Sequence, residues 1–321
     1  MAAAVFQRTA RHTALNWIMR RFLQILSLVL VVLAAAYYWL FAQSRVPSGG
    51  SFNVDMAAVR SLAASLPGSK PQTVRAEQIA VFRFPAAAIM AGNGWSQRSI
   101  PVFSYQLIYP DRTVIVDTAM SERLSKQMRV DSFDPVAYQR MSRAIAKASL
   151  LLITHEHPDH IGGLADQPDV ANILKITRLT REQVGNPDRM DPAIFPAGAF
   201  SGYQPLAYDR YSAIAPGVVL IKSPGHTPGS QMIFVQKSDG TEILFLGDVA
   251  WQSDNVENVR ERPRFVTWFL LKEDRDNVLR ELVELNRLSK AEPRIHMVPG
   301  HDGQVVSNLI GQSVLAGGFQ E

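Results

Sequence analysis

The sequence predicts one α/β (α+β) domain with at least two sheets' worth of strands, preceded by a single membrane-spanning helix. Three observations carry this. A 21-residue uncharged apolar run lies close to the N-terminus, at Phe22–Ala42. Beyond it, short apolar runs bounded by turn residues alternate with helical segments, the pattern of a layered α/β domain. Several of those runs also end in a glycine-containing turn that carries a histidine or an aspartate.

The 321-residue chain is 47% hydrophobic and 19% charged, within the range of a globular protein. It has no cysteine, which excludes disulfides, thiolate metal ligands and a cysteine nucleophile. The net charge of +4 is carried by the N-terminal segment. Residues 1–42 hold Arg8, Arg11, Arg20 and Arg21 and no acid, so 29 basic residues face 29 acidic ones in the remainder. The domain is formally neutral and gives no sign of a nucleic-acid surface.

As a helix, Phe22–Ala42 would span roughly 31 Å, about the thickness of a bilayer core. The preceding arginines keep the N-terminus cytoplasmic and send the rest of the chain across the inner membrane, to the periplasmic side. Tyr37, Tyr38 and Trp39 would form an aromatic belt at the far interface. Ala34, Ala35 and Ala36 also fit a signal-peptide cleavage site, but apolarity continues past them, so an uncleaved signal anchor is expected. The resulting division is a basic cytoplasmic segment over 1–21, the anchor over 22–42, a flexible Ser/Gly/Pro linker over 43–51 and a catalytic domain over 52–321. His12 precedes the anchor and has no part in the chemistry.

An amphipathic helix is expected over 52–66, and strands over 78–84, 102–109 and 113–117. The second and third are joined by the turn Pro110-Asp111-Arg112. Asp134 caps a helix over 134–148, with Pro135 at its first position. SLLLIT (149–154) reads as a buried strand. Helical and strand-like pieces continue to about 184, and a Pro/Gly/aromatic stretch with little periodicity covers 185–216. Further strands are expected over 218–222, 232–236, 242–247 and 294–300, with a charged helix over 274–290.

The strand at 149–154 delivers the chain to THEHPDHIGG (154–163), which holds three of the seven histidines. In extended chain, His155 and His157 point the same way. Pro158 disfavours helix at His157 and forces a turn, after which Asp159 and His160 can aim at a nearby point. Gly162 and Gly163 would let the backbone fold tightly into the next helix. Three strand ends add His226 in SPGHTPGS, Asp248 in LFLGD and His301 in MVPGHDG. Nitrogen-rich ligand sets of this kind suit zinc, and iron or manganese accept similar shells. His296 lies within its strand and reads as structural.

THxHxDHxGG, GHTPG, GD and PGH in this order resemble the metallo-β-lactamase-fold hydrolase superfamily over roughly residues 75–305, including an upstream strand that ends in Asp117. The resemblance implies an αββα sandwich with a metal site at the sheet edge, holding two divalent ions. His155, His157 and His226 would bind one ion, Asp159, His160 and His301 the other, with Asp248 bridging and Asp117 orienting a ligand from behind. It also implies hydrolysis of an ester, lactone or phosphoester by a hydroxide shared between two ions about 3.5–4 Å apart. Asp159 and Asp248 would be the catalytic carboxylates, Asp159 accepting or relaying a proton.

His160 together with Asp248 points away from true β-lactamases. The short tail after His301 points away from the glutathione-binding helical domain of glyoxalase II enzymes. The layout is most similar to the lactonase and organophosphate-hydrolase branch, except that Trp251 stands where quorum-quenching lactonases often carry tyrosine. An indole N–H donates a hydrogen bond but cannot act as a phenol does. Substrate selection is expected from Trp95 in GNGW (92–95), from 185–216 and from Trp251 to Trp268. An aromatic wall there would comprise Phe195, Phe200, Tyr203, Tyr208, Trp251 and Trp268, with Arg262 and Arg264 adding positive charge. The competing readings are a mononuclear iron oxidoreductase like the persulfide dioxygenases, and a metal-binding protein without turnover. The substrate is expected to be a small molecule, and the sequence sets no oligomeric state.

Overall fold

The computed structural model describes residues 2–320. The side chains of residues 2–15, and with them Arg8, Arg11 and His12, lie outside the described set. Two sheets pack face to face. The first contains β1 (Thr73–Pro85), β2 (Gln97–Ile108), β3 (Thr113–Val116), the short β4 (Ser132–Phe133), β5 (Leu150–Leu152) and β6 (Thr177–Arg178). The second is built from β7 (Tyr211–Ala215), β8 (Val218–Lys222), β9 (Gln231–Gln236), β10 (Glu242–Gly247) and β11 (Ile295–Pro299). The chain then returns to the first sheet as β12 (Ala316–Gly317), giving the orders β12-β1-β2-β3-β5-β6 and β11-β10-β9-β8-β7.

Strand alternation sorts the apolar residues into layers. Val218, Leu220, Ile233, Val235, Ile243 and Phe245 face Val74, Tyr105, Val114 and Val116 of the first sheet, forming the core between the sheets. Their neighbours Val219, Ile221, Met232, Phe234, Leu244 and Leu246 point outward, against Val59, Val278, Leu282 and Leu285 from the helices Met56–Ala63 and Arg275–Ala291. Ile115 and Leu151 of the first sheet point to its outer face, where they meet Met141, Ile145, Ile161 and Leu164 of the helices Pro135–Lys147 and Pro158–Ala165. Each fully buried aliphatic side chain contributes about 1.5–3 kcal/mol, so three such cores make the αββα arrangement self-supporting.

Most expected elements appear with ends shifted by a few residues. Asp134 caps its helix through Val136 N and Ala137 N, with Pro135 first, as its sequence predicts. The β1–β2 hairpin runs longer than the apolar runs that signalled it, because Arg75, Glu77 and Arg98 share its strands. Elements without an expectation include the helices Glu122–Gln127, Ser253–Asn258 and Gly303–Gly311, the short β4, β7 inside the stretch 185–216 that showed little periodicity, and β12, which pairs in parallel with β1. Gly162 and Gly163 do not lead into a helix but lie inside one. There they allow close approach, since a Cβ on Gly163 would collide with the Thr118 carbonyl oxygen.

The first helix, Ala2–Tyr37, continues through a π-helical turn to Ala42, and the apolar segment Asn16–Ala42 is unburied. The segment 43–51, expected to be a flexible linker, is bonded to the domain at Gln43, Ser44 and Gly49. Ser44 donates to Glu261 (2.6 Å), Arg264 and Arg275 donate to Gln43, and Arg280 donates to the Gly49 carbonyl (2.8 Å). Charged partners across the sequence replace the flexibility that Ser/Gly/Pro composition favours.

Gly163→Ala is expected to lower stability by about 1–3 kcal/mol, the cost of overpacking a close backbone contact. Urea unfolding measures it, and an unchanged midpoint would show that helix Pro158–Ala165 can move away without cost.

Candidate metal centre

The functional side chains converge because the strands that carry them end at one edge. β3 runs parallel to β5, and β10 runs parallel to β11 and antiparallel to β9, which is antiparallel to β8. The C-terminal ends of β8, β10 and β11 therefore share a side, and His226, Asp248 and His301 follow them. The sheets are joined at this edge by Gln231, whose backbone N–H donates to Thr154 O (2.9 Å) and whose side chain donates to Ile153 O (2.7 Å).

All seven expected ligands meet there. Three sets, His155/His157/His226, His155/His160/Asp248 and Asp159/His160/His301, each have their donor atoms within 4.8 Å of one another. Asp248 lies between them: His160 Nε2 and His301 Nε2 stand 3.3 and 3.2 Å from Oδ1, and His226 Nε2 stands 3.4 Å from Oδ2. Gly300 makes room, since a Cβ there would strike Asp248 Oδ1.

Groups behind the site select which nitrogen each histidine presents. His301 Nδ1 bonds the Pro101 carbonyl (2.9 Å), and His160 Nδ1 bonds Asp117 Oδ2 (2.9 Å). Asp117 also accepts from Thr154 N and Oγ1, so this carboxylate, on a left-handed backbone (φ 59°), fixes both the turn and the ring. Thr154 Oγ1 contacts His155 Nδ1 at 3.1 Å. His226 Nδ1 bonds Glu273, which Arg262 Nε also meets at 2.7 Å, while Arg262 Nη2 donates to the Asp248 carbonyl. His157 differs, directing Nδ1 inward to within 2.8 Å of His226 Nε2.

Burial, with neighbouring imidazoles adding to it, pushes His155 and His157 well below the ordinary histidine value. For His160 burial acts the same way, but Asp248, Asp159 and Asp117 overcome it and hold the ring well above that value. Asp248 itself is held well below the carboxylate range, because His301, His160 and His155 outweigh its burial.

Two buried polar atoms facing this cluster, His155 Nε2 and Asp248 Oδ1, have no hydrogen-bond partner among the described residues. Unpaired buried groups of this kind are costly unless something binds them. Imidazole nitrogens and carboxylate oxygens are the donor set that zinc, iron and manganese accept, so the residues present fit divalent cations.

A cleft of about 480 Å³ opens over His157, Asp159, Asp248 and His301. Phe82, Phe84, Ile100, Met128, Trp251 and Leu271 form its apolar wall, and Arg189, Lys272, Asp188 and Asp191 a rim of mixed charge. Of the three tryptophans expected at the pocket, only Trp251 lines it. Its indole N–H donates to Asp248 Oδ2 (2.6 Å). Trp95 and Trp268 instead meet the end of the N-terminal helix, at Tyr37 and Phe41 and at Trp39. Arg262 is fully buried behind His226, in ion pairing with Glu273, and not on the wall. Phe195, Phe200 and Tyr203 pack on one another and on the outer core, and Tyr208 bonds Gln231. Glu273 and Met128 had no sequence signal, because neither lies in a motif and each reaches the site only through the fold.

With this geometry, the sequence comparisons agree. The profile of the Metallo-beta-lactamase superfamily matches residues 100–301, and the chain belongs to that superfamily. It is a hydrolase of the metal-dependent class that this fold and site define. An N-acyl homoserine lactonase of Bacillus thuringiensis is 24% identical over 181 residues, covering 50% of this chain and 68% of the relative. A hydroxyacylglutathione hydrolase of Albidiferax ferrireducens is 31% identical over 124 residues, covering 37% of this chain and 43% of the relative. Among solved structures, a quorum-quenching N-acyl homoserine lactone lactonase shares the fold. Its TM-score is 0.56 at 18% identity, covering 74% of this chain and 95% of that one.

Trp251→Phe keeps an aromatic ring, though a smaller one, and removes the N–H bond to Asp248, so divalent-metal affinity is expected to fall about tenfold. Competition with a chelating dye measures this, and unchanged affinity would leave the indole a packing role only.

Glu281 lies behind Gly225, whose N–H it accepts at 3.1 Å, and burial pushes its carboxyl up to about 8. The folded state therefore keeps a proton that the unfolded chain loses near 4.5. The stability this adds is complete below about 4.5 and is lost as pH rises toward about 8. Glu281→Gln is expected to remove that loss, at most ~1.4 kcal/mol per pH unit. Unfolding midpoints of both proteins across this range test it, and parallel pH profiles would count against it.

Proposed function

We propose that this chain is a membrane-anchored, exported hydrolase with two divalent metal ions, probed best with lactones and esters. The observation that carries the reading is the pair of triads His155/His157/His226 and Asp159/His160/His301, with Asp248 3.2–3.4 Å from members of both. His155, His157 and His226 would hold one ion and Asp159, His160 and His301 the other, with Asp248 between them. Bound ions of this kind supply Lewis acidity and lower the pKa of water to near neutrality.

The chain's own residues account for the rest. Glu273, Asp117 and the Pro101 carbonyl hold His226, His160 and His301 by their outer nitrogens, fixing the inner ones before any ligand arrives. Asp159 is the less buried of the two carboxylates that belong to a triad and line the cleft, and it would accept or relay a proton. The apolar wall excludes water and would hold a substrate's hydrocarbon part. Arg189 and Lys272 would meet a carbonyl or anionic group at the rim. Lactone and thioester hydrolysis by the relatives named above supports an acyl substrate over a phosphoester. The unburied 27-residue apolar segment Asn16–Ala42 supports the anchor, with domain bounds at 1–21, 22–42, 43–51 and 52–321.

Mass spectrometry of the full chain is expected to find two equivalents of zinc or a similar divalent ion, with hydrolysis in a lactone and aryl-ester panel. Asp248→Ala should reduce the metal content and abolish turnover. One iron per chain without hydrolysis would replace this reading with oxygen chemistry.

A further inference from the structure

The end of the N-terminal helix and one wall of the cleft form a continuous surface. Trp39 packs edge-on against Trp268 (5.2 Å between centroids), and Phe41 stacks on Phe265 (5.2 Å). Arg264 lies over both Trp39 and Trp268 and donates to the Trp39 carbonyl (2.9 Å). Trp39 is three residues before the end of the apolar run at Ala42, roughly 5 Å inside it at helical rise. Residues that touch it therefore sit at the depth where tryptophan, tyrosine and arginine favour a bilayer interface.

The segment then presents Phe269 and Leu270 to solvent, 65% and 66% exposed. Exposed side chains of this size next to one another mark a contact surface. Leu270 and Leu271 also line the cleft over the candidate metal ligands. Bonds from Gln43, Ser44 and Gly49 to Glu261, Arg264, Arg275 and Arg280 keep this face of the domain beside the helix end. Arg189 donates to the Leu271 carbonyl and to the Lys272 carbonyl (3.0 Å), which ties the same segment to the 187–189 turn at the cleft rim.

We propose that Phe265–Leu271 rests in the bilayer interface beside the anchor, so that the cleft opens at the membrane surface and takes acyl-chain amphiphiles dissolved in the membrane. The proposal rests on the anchor reading given above. The occupant of the patch is the lipid surface that this chain's own helix spans. Continuity with the aromatic end of that helix favours lipid over a protein partner. An apolar wall running from the exposed patch to the ligand cluster lets a hydrocarbon chain reach the site without passing through water.

The native chain has no cysteine, so single nitroxide labels can be placed in the full chain reconstituted into phospholipid vesicles. The sites are Phe269→Cys, Leu270→Cys, Trp39→Cys and, on the turn before β10 at the far edge, Asp239→Cys. Collision with oxygen, which concentrates in lipid, is compared with collision with a water-soluble nickel chelate. The expected result is an oxygen-to-nickel ratio several-fold higher at positions 269, 270 and 39 than at 239. Labels at 269 and 270 that match 239, with 39 still in lipid, would overturn the proposal and leave the anchor standing. A label at 39 that also favours nickel would overturn the anchor, and the proposal with it.

Discussion

The site depends on histidine rings that are fixed from behind. His160, His226 and His301 each spend their Nδ1 on a partner outside the cluster, and those partners are Asp117, Glu273 and the Pro101 carbonyl. Each ring is left with Nε2 directed at Asp248, which four imidazoles approach and whose Oδ1 remains unpaired among the described residues. Without the outer bonds, buried imidazoles would satisfy one another and the converging geometry would collapse. With them, the polar atoms that remain can be satisfied only by something placed among them.

The outer partners come from widely separated parts of the chain, so the fold must bring them in first. Asp117 follows β3, Pro101 lies in β2, and Glu273 precedes helix Arg275–Ala291. The three apolar cores keep these elements in register, and Gln231 and Gln183 close the edge where the sheets meet by bonding the backbone around Ile153. Arg262 shows how closely support and site are joined. One buried guanidinium bonds Glu273, donates to the Asp248 carbonyl and lies over the Trp251 ring (5.0 Å). Change at any of these positions reaches a residue of the cluster.

The segment after the N-terminal helix joins that helix to the domain that carries the site. A tether of Ser, Gly and Pro would leave the domain free to tumble relative to the N-terminal helix. Buried Glu261, paired with Arg275 and accepting from Ser44, prevents this and holds the cleft in one orientation relative to the helix. Trp95 and Trp268 help hold that orientation as well, which explains their distance from the substrate cleft.

The αββα architecture, the apolar N-terminal segment and the convergence of His155, His157, Asp159, His160, His226, Asp248 and His301 were legible in the sequence. Each is encoded locally: alternation sets a strand's two faces, an uncharged run sets a span, and a histidine after a strand-ending glycine turn is placed by that strand. Asp117 was legible as the residue that ends a strand, but its bonds to Thr154 and His160 required β3 and β5 to pair. Tertiary structure alone decided that Glu273 and Arg262 stand behind His226, that Trp251 bonds Asp248, and that Trp95 and Trp268 face the helix. Those relations join residues far apart in sequence or set by packing, and no local pattern fixes where a side chain points once helices and sheets have closed around it.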